Sequence, residues 1–213
     1  MIKIIVFDFD GVLVDSNRLK QEAWFKVFKP EEASRELIRN VLTEIKETRY
    51  DILREIFRRL GTSAEEIEPL VLSHAQKYNE LVQSGISSLG LNLGVKEVLS
   101  ELKQRFRLYL NSATPEKALL ETAGRLSIGD FFEEIYGQSE PESKVKNLKK
   151  IIEKENFLLQ EVLAVGDGED DLAAAKTVGC RFIGLANDWN GWKDKEFPLV
   201  SNLSEIKNLI LKI

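Results

Sequence analysis

One cysteine, Cys180, and one histidine, His74, stand in a chain of 213 residues. A lone cysteine closes no internal disulfide, and without a Cys/His cluster there is no zinc site of the usual donor set. The same scarcity argues against a histidine-based catalytic triad. No apolar run approaches the ~18 residues that cross a bilayer. The apolar opening, Ile4 to Phe7, meets acid at Asp8 and is too short for a secretory segment, so the chain reads as cytoplasmic. Nor is there an excess of positive charge. Lys and Arg number 30 against 35 Asp and Glu, a formal charge of -5. Such a surface has no general attraction for nucleic acid or anionic membranes. What is present is the profile of a folded globular chain, 43% hydrophobic and 31% charged. At ~150 residues per domain the length suits one core domain and a smaller lobe.

Short β-rich apolar segments occur at Ile2–Phe7, Arg107–Leu110, Glu134–Tyr136, Leu163–Val165 and Phe182–Leu185. Helical patterns separate the later ones, over Val95–Gln104, Glu116–Ala123, Lys144–Glu155 and Asp171–Thr177. Strand and helix in alternation predict an α/β fold, a doubly wound parallel sheet of Rossmann-like form covered on both faces. Such sheets place their ligands at the carboxyl ends of the strands. Residues 16–88 differ, with helix-spaced apolar positions over Asn17–Phe28, Glu31 to about Glu47, Tyr50–Leu60 and Ala64–Gln83. Pro30 is placed to begin a helix, and Ser84-Gly85 with Gly90 to Gly94 reads as a returning linker. The expected organisation is a core of residues 1–15 and 89–213 with an inserted helical cap of residues 16–88.

The first strand runs into Asp8-Phe9-Asp10-Gly11-Val12-Leu13-Val14-Asp15-Ser16. Two aspartates beside a buried strand repel each other and are costly to ionise. A Mg²⁺ ion, which prefers carboxylate oxygens and water, would remove that cost. The second strand leads into Asn111-Ser112-Ala113-Thr114, Lys144 opens a helix after the third, and the fourth leads into Gly166-Asp167-Gly168-Glu169-Asp170-Asp171. A doubly wound sheet brings these strand ends into one crevice. A carboxylate nucleophile, a hydroxyl, a cation and metal-binding acids together suit phosphoryl transfer.

With DFDGVLVDS, Ser112, Lys144 and GDGEDD in that order, the chain resembles the haloacid dehalogenase superfamily, in its phosphoglycolate phosphatase and β-phosphoglucomutase-like branch. The helical insert is similar to that family's C1 cap. The resemblance implies a Mg²⁺-dependent hydrolase of small phosphorylated metabolites. Asp8 would form an aspartyl-phosphate, and Asp10 would serve as general acid and then general base. Mg²⁺ would be held by the side chains of Asp8 and Asp167 and by the backbone carbonyl of Asp10. Ser112 and Lys144 would hold phosphoryl oxygens, and Asp171 would orient Lys144 or metal-bound water. Gly168 departs from the Ser of many relatives, and Lys144 precedes Val145 where Pro is common, which leaves Lys146 as a weaker candidate. Glu169 and Asp170 are extra acids; either could touch the metal through water, but a solvated first helical turn is the plainer reading.

In the cap, Arg49 resembles a residue that faces the site in related mutases and phosphatases, and it is a candidate grip on an anionic part of the substrate. A surface arginine is the plainer reading. Lys20 stands where a mutase would have His, which favours hydrolysis over the sugar-phosphate mutase alternative. A phospho-accepting receiver domain shares an acceptor Asp, a hydroxyl and a Lys, but is shorter and places its acceptor on a later strand. A 2-haloacid dehalogenase would lack an acid at Asp10, and a catalytically dead scaffold would lack some of these residues. Trp24 reads as lobe core, His74 as an ordinary satisfied residue, Cys180 as a buried filler, and Trp189 and Trp192 as cover for the sheet edge. The expected partner is a small phosphorylated metabolite, with no nucleic acid and no membrane; the oligomeric state stays open.

Overall fold

A computed structural model describes residues 1–45, 48–86, 88–139, 143–187 and 190–210. In chain order these form β1 (Ile4–Phe7), α1 (Asn17–Val27), α2 (Arg35–Glu44), α3 (Arg49–Arg59), α4 (Ala64–Ile86), α5 (Val95–Lys103), β2 (Arg107–Pro115), α6 (Glu116–Arg125), β3 (Glu134–Gln138), α7 (Ser143–Glu155), β4 (Val162–Gly166), α8 (Glu169–Val178), β5 (Arg181–Leu185), β6 (Leu199–Val200) and α9 (Leu203–Ile210). The chain divides into two compact units, Met1–Ser16 with Leu89–Ile213, and Asn17–Ser88. Among the described residues, no helix is long and apolar enough to cross a membrane.

The larger unit is built on a six-stranded sheet in the order β3-β2-β1-β4-β5-β6. Every neighbouring pair is parallel. Parallel strands buried on both faces need continuous apolar sequence. β1 supplies it, with Ile4, Ile5, Val6 and Phe7 each no more than 3% exposed. Ile4 and Val6 pack with Tyr109, Leu148, Ile151 and Val162, so α7 covers that face. Alternation along the strand turns Ile5 and Phe7 to the other. The chain leaves β1 toward β2 and β3 and returns on the opposite side to β4. The order therefore reverses between β1 and β4, and their carboxyl ends flank the crevice where such sheets bind ligands.

The fold is the doubly wound α/β sheet expected, with three local differences. β2 extends to Pro115, and its register with β3 shifts between Asn111 and Pro115, so Ser112 lies within an irregular stretch of strand. β6 has two residues, too few for periodicity to announce; Pro198 and Val200 accept from the backbones of Gly184 on β5 and of Ala186 just after it. α8 begins at Glu169, two residues before the expected Asp171.

In the helical unit, α1 packs on α4, α4 on α3, and α3 on α2. Trp24 lies against Tyr78 at 4.4 Å between ring centroids. His74 sits 4.9 Å from both Phe28 and Phe57, its Nδ1 2.9 Å from the Leu70 carbonyl. Pro30 does not begin a helix. Residues 30–33 form a turn, and α2 starts at Arg35 because the Ser34 hydroxyl accepts from the Leu37 N–H at 3.1 Å. The expected end of that helix at Lys46 and Glu47 lies outside the described residues. Ser84-Gly85 is not a linker but lies inside α4. The Leu19 side chain occupies the space a Cβ at Gly85 would fill, so this glycine serves close helix packing rather than a turn.

Candidate functional site

The site is assembled at the carboxyl ends of β1, β2 and β4 and at the start of α7. Asp8 follows β1 directly, and its N–H donates to the Val165 carbonyl of β4 at 2.8 Å. Gly11 takes φ +76° and its N–H donates to the Val14 carbonyl at 2.8 Å, which closes a tight turn. Phe9, Val12, Leu13 and Val14 are fully buried, so hydrophobic burial anchors the loop that carries both aspartates. Asn92 adds two bonds to the loop, Nδ2 donating to the Val12 carbonyl at 2.9 Å and N–H to that of Leu13 at 2.8 Å.

Asp8, Asp167 and Asp171 are buried, and each offers a carboxylate oxygen within 4.8 Å of the others. Lys144 reaches the same place. Its Nζ lies 2.6 Å from Asp171 Oδ1, 2.9 Å from Asp170 Oδ2 and 3.3 Å from Asp8 Oδ1. The contact with Asp8 is one of charge alone, because Asp8 Oδ1 is buried without a hydrogen-bond partner. Asp171 Oδ2 accepts from the Gly168 N–H at 3.1 Å, so both oxygens of Asp171 are engaged. Asp167 Oδ2 accepts from Asn187 Nδ2 at 2.8 Å, and Asn190 Nδ2 donates to the Asp167 carbonyl at 3.0 Å.

Asp10 stands outside the three-carboxylate cluster. Its Oδ1 accepts from Ser16 Oγ at 2.6 Å and its Oδ2 from Thr114 Oγ1 at 2.7 Å. Two hydroxyls from opposite sides fix the plane of this carboxyl. Ser112 is fully buried, and its Oγ accepts from the Thr114 N–H at 3.1 Å. Lys144, rather than Lys146, is the lysine at Asp8. Arg49 belongs to the helical unit. It opens α3 behind a Thr48 cap, and its guanidinium donates to Asn79 Oδ1 on α4.

The electrostatics follow from burial and crowding. Burial, and then the charges of Asp171, Asp10 and Asp170, hold the Asp8 carboxyl well above the ordinary aspartate range, against the opposing pull of Lys144. Burial and the charge of Asp170 push Asp171 up to about 7, with Lys144 and the Gly168 N–H pulling the other way. Burial disfavours the Lys144 ammonium, but Asp171, Asp8 and Asp170 outweigh it and raise its pKa well above normal. Several acids thus share one cation in a dry setting. An all-oxygen donor set with an orphaned buried oxygen on Asp8 fits a hard divalent cation such as Mg²⁺.

Other contributors carry weaker sequence signals. Ser16 and Thr114 grip Asp10 across 6 and 104 residues of sequence. Asn111 on β2 donates through Nδ2 to the Lys144 carbonyl at 2.9 Å. Asn147 Nδ2 donates at 3.2 Å both to Asn111 Oδ1 and to the Gly137 carbonyl. Asn187 and Asn190 bond each other's backbone N–H groups reciprocally, the Asx geometry that an Asn-rich loop after a strand could have suggested. Asp170 is solvent-exposed in the first turn of α8, and it also pairs with Lys144. Glu169 accepts from the Trp192 indole N–H at 2.8 Å. Trp192 is buried and packs edge-on against Phe182 and Phe197, while Trp189 lies outside the described residues.

Comparison with known proteins gives a consistent result. A family model described as haloacid dehalogenase-like hydrolase matches residues 5–185. A phosphoglycolate phosphatase of Vibrio vulnificus is 31% identical over 201 residues, covering 89% of this chain and 86% of that protein. A phosphorylated carbohydrates phosphatase of Thermotoga maritima is 26% identical over 202 residues, covering 90% and 89%. Among solved structures, a haloacid dehalogenase-like family hydrolase from Streptococcus pneumoniae superposes with a TM-score of 0.74 at 21% identity, over 98% of each chain. At that identity the superposition speaks to a common fold.

Proposed function

Because the chain belongs to the haloacid dehalogenase-like hydrolase family, we propose that it is a Mg²⁺-dependent cytoplasmic phosphatase that hydrolyses a small phosphomonoester through an aspartyl-phosphate on Asp8. The observation that carries this reading is the Asp8 carboxylate. It stands at the switch point of the sheet, with one oxygen unbonded, 3.3 Å from the Lys144 ammonium and beside Asp167 and Asp171.

Each residue has a role that its surroundings support. Asp8 attacks phosphorus; a bond from its carboxylate oxygen to phosphorus forms as the bond to the ester oxygen breaks. Asp10 gives its proton to the departing alkoxide, then takes one from the water that attacks the aspartyl-phosphate. That second displacement releases inorganic phosphate and restores the Asp8 carboxylate. Ser16 and Thr114 hold the Asp10 carboxyl in place for both transfers. Ser112 and Lys144 bind the phosphoryl oxygens, and Asp171 orients Lys144 through its 2.6 Å contact. The side chains of Asp8 and Asp167 and the backbone carbonyl of Asp10 would hold Mg²⁺. When bound, the ion neutralises charge on the phosphoryl oxygens and on the crowded carboxylates.

The helical unit acts as the cap, and Arg49 is the proposed grip on an anionic part of the substrate. The names of the relatives, phosphoglycolate phosphatase and phosphorylated carbohydrates phosphatase, support a small anionic or sugar-like phosphate ester. The test is a phosphate-release screen with and without Mg²⁺ over phosphoglycolate, sugar phosphates, nucleotides and pyrophosphate. Mg²⁺-dependent release that disappears in Asp8→Asn is expected. Isomerised product without release would instead establish a mutase, and no turnover of any ester would end the reading.

A further inference from the structure

The Lys144 ammonium has three N–H donors and no acceptor. It stands beside three carboxylates, Asp171 at 2.6 Å, Asp170 at 2.9 Å and Asp8 at 3.3 Å. The contact with Asp8 is one of charge alone, so Asp171 and Asp170 are the groups at hydrogen-bond distance with which a phosphoryl oxygen competes for Nζ. Asp8 is the group that phosphorus approaches, and it is buried. Asp171 is buried too, and its second oxygen is tied to the Gly168 N–H. Asp170 alone is open to solvent, its side chain 57% exposed. It also lies in the first turn of α8, where the helix N-terminus favours a carboxylate whether or not a lysine is near. Moving it from Lys144 into water thus costs least of the three.

A second observation shows why Asp170 reaches Lys144 at all. Gly168 has an ordinary backbone, φ -109°, so no left-handed conformation demands glycine there. What the missing Cβ leaves is space: an added Cβ would collide with Asp170 Oδ1 and would come within 3.2 Å of Asp171 Oδ2. Any side chain at 168 would push the Asp170 carboxylate away from its present seat.

We propose that Asp170, seated through Gly168, is an exchangeable anion gate on Lys144, occupying the donor that the substrate's phosphoryl group takes on binding. The inference rests on the phosphoryl-binding role of Lys144 proposed above. Asp170 acts through Lys144 and is a positioning residue that sets affinity for anions. Its removal has the opposite sign from the loss of an active-site acid: binding of phosphate tightens.

Inorganic phosphate is the probe, titrated calorimetrically at saturating Mg²⁺, with p-nitrophenyl phosphate hydrolysis followed in parallel. Asp170→Asn should tighten phosphate binding about two- to fivefold, the range of a half-exposed ion pair. It should lower KM by a similar factor while kcat moves less. Gly168→Ala should do the same by displacing Asp170, and the double variant should gain nothing beyond either alone. Unchanged or weaker phosphate binding in Asp170→Asn, or additive gains in the double variant, would overturn the gate. Lys144→Ala separates the two levels. If it loses phosphate while Asp170→Asn gains none, the gate fails and the phosphatase reading stands. If it binds phosphate as the parent does, or the parent binds none, the role of Lys144 falls and the gate with it.

Discussion

Replacing Asn111 by Leu removes one rung of a buried amide ladder that joins β2, β3 and α7. Asn111 and Asn147 are 6% and 3% exposed, so water cannot substitute for a lost partner. In Asn111→Leu the Asn147 amide loses an acceptor and the Lys144 carbonyl loses its side-chain donor. Leaving a buried polar group short of a partner costs about 1–3 kcal/mol. Near ~2 kcal/mol, the melting temperature of a chain this long should fall by roughly 4–8 °C. Asn147→Leu should behave similarly. Replacing both members of a bonded pair by apolar groups of like shape is far less costly than the sum. The double variant should therefore be more stable than additivity requires by about 1 kcal/mol or more. Because the ladder grips the carbonyl of Lys144, kcat/KM should fall about tenfold in each single variant through misplacement of the ammonium. Urea denaturation of the parent, both singles and the double supplies the cycle, with steady-state rates alongside. Additivity within ~0.3 kcal/mol, with rates unchanged, would refute the reasoning.

Asp8→Asn should abolish turnover and phosphoenzyme, yet raise the melting temperature in EDTA, because it removes a charge that burial and neighbouring acids disfavour; differential scanning fluorimetry reads this. Mg²⁺ at 100 times its dissociation constant should stabilise the parent by about 2.7 kcal/mol, and EDTA should reverse the shift. Thr114→Val, nearly isosteric, takes away the 2.7 Å hydroxyl contact with Asp10 and should lower kcat about tenfold or more with KM little changed, as steady-state kinetics will report. Burial pushes the Cys180 thiol up to about 11. At pH 8 roughly one molecule in a thousand then carries the thiolate, against about a quarter for an ordinary thiol. Alkylation by iodoacetamide, followed by mass spectrometry, should be more than ~100-fold slower in the native protein than in urea and should accelerate as pH rises toward 11.

The parallel sheet was legible because its central strands announce themselves: Ile4 to Phe7 and Leu163 to Val165 are unbroken apolar runs that end at an acid or a glycine. β6 was not, since the two residues Leu199 and Val200 are too few to show a period, and it is their pairing beside Gly184 and Leu185 of β5 that makes them a strand. Ser84-Gly85 carries turn composition, but the neighbour that explains Gly85 is Leu19, distant in sequence. The same physics divides the site. Asp8, Asp167 and Lys144 stand at strand ends or a helix start, where periodicity changes and a charged residue is conspicuous. Ser16, Thr114, Asn111 and Asn187 are small polar residues of kinds common in every loop. Their meaning lies in single side-chain bonds to Asp10, Lys144 and Asp167, which no local pattern encodes.

The indole of Trp192 is wired to the first turn of α8 by its bond to Glu169, one residue from Asp170 and two from Asp171. Its ring is wedged with Phe197 over Gly184, where a Cβ would approach it to 2.8 Å and Phe197 to 2.6 Å. Trp192 is thus a buried indole beside the acidic crevice, and its emission is expected to respond to the field of the adjacent carboxylates. With Trp24 and Trp189 replaced by Phe, cation or oxyanion uptake could be followed in real time by that light, with no label attached.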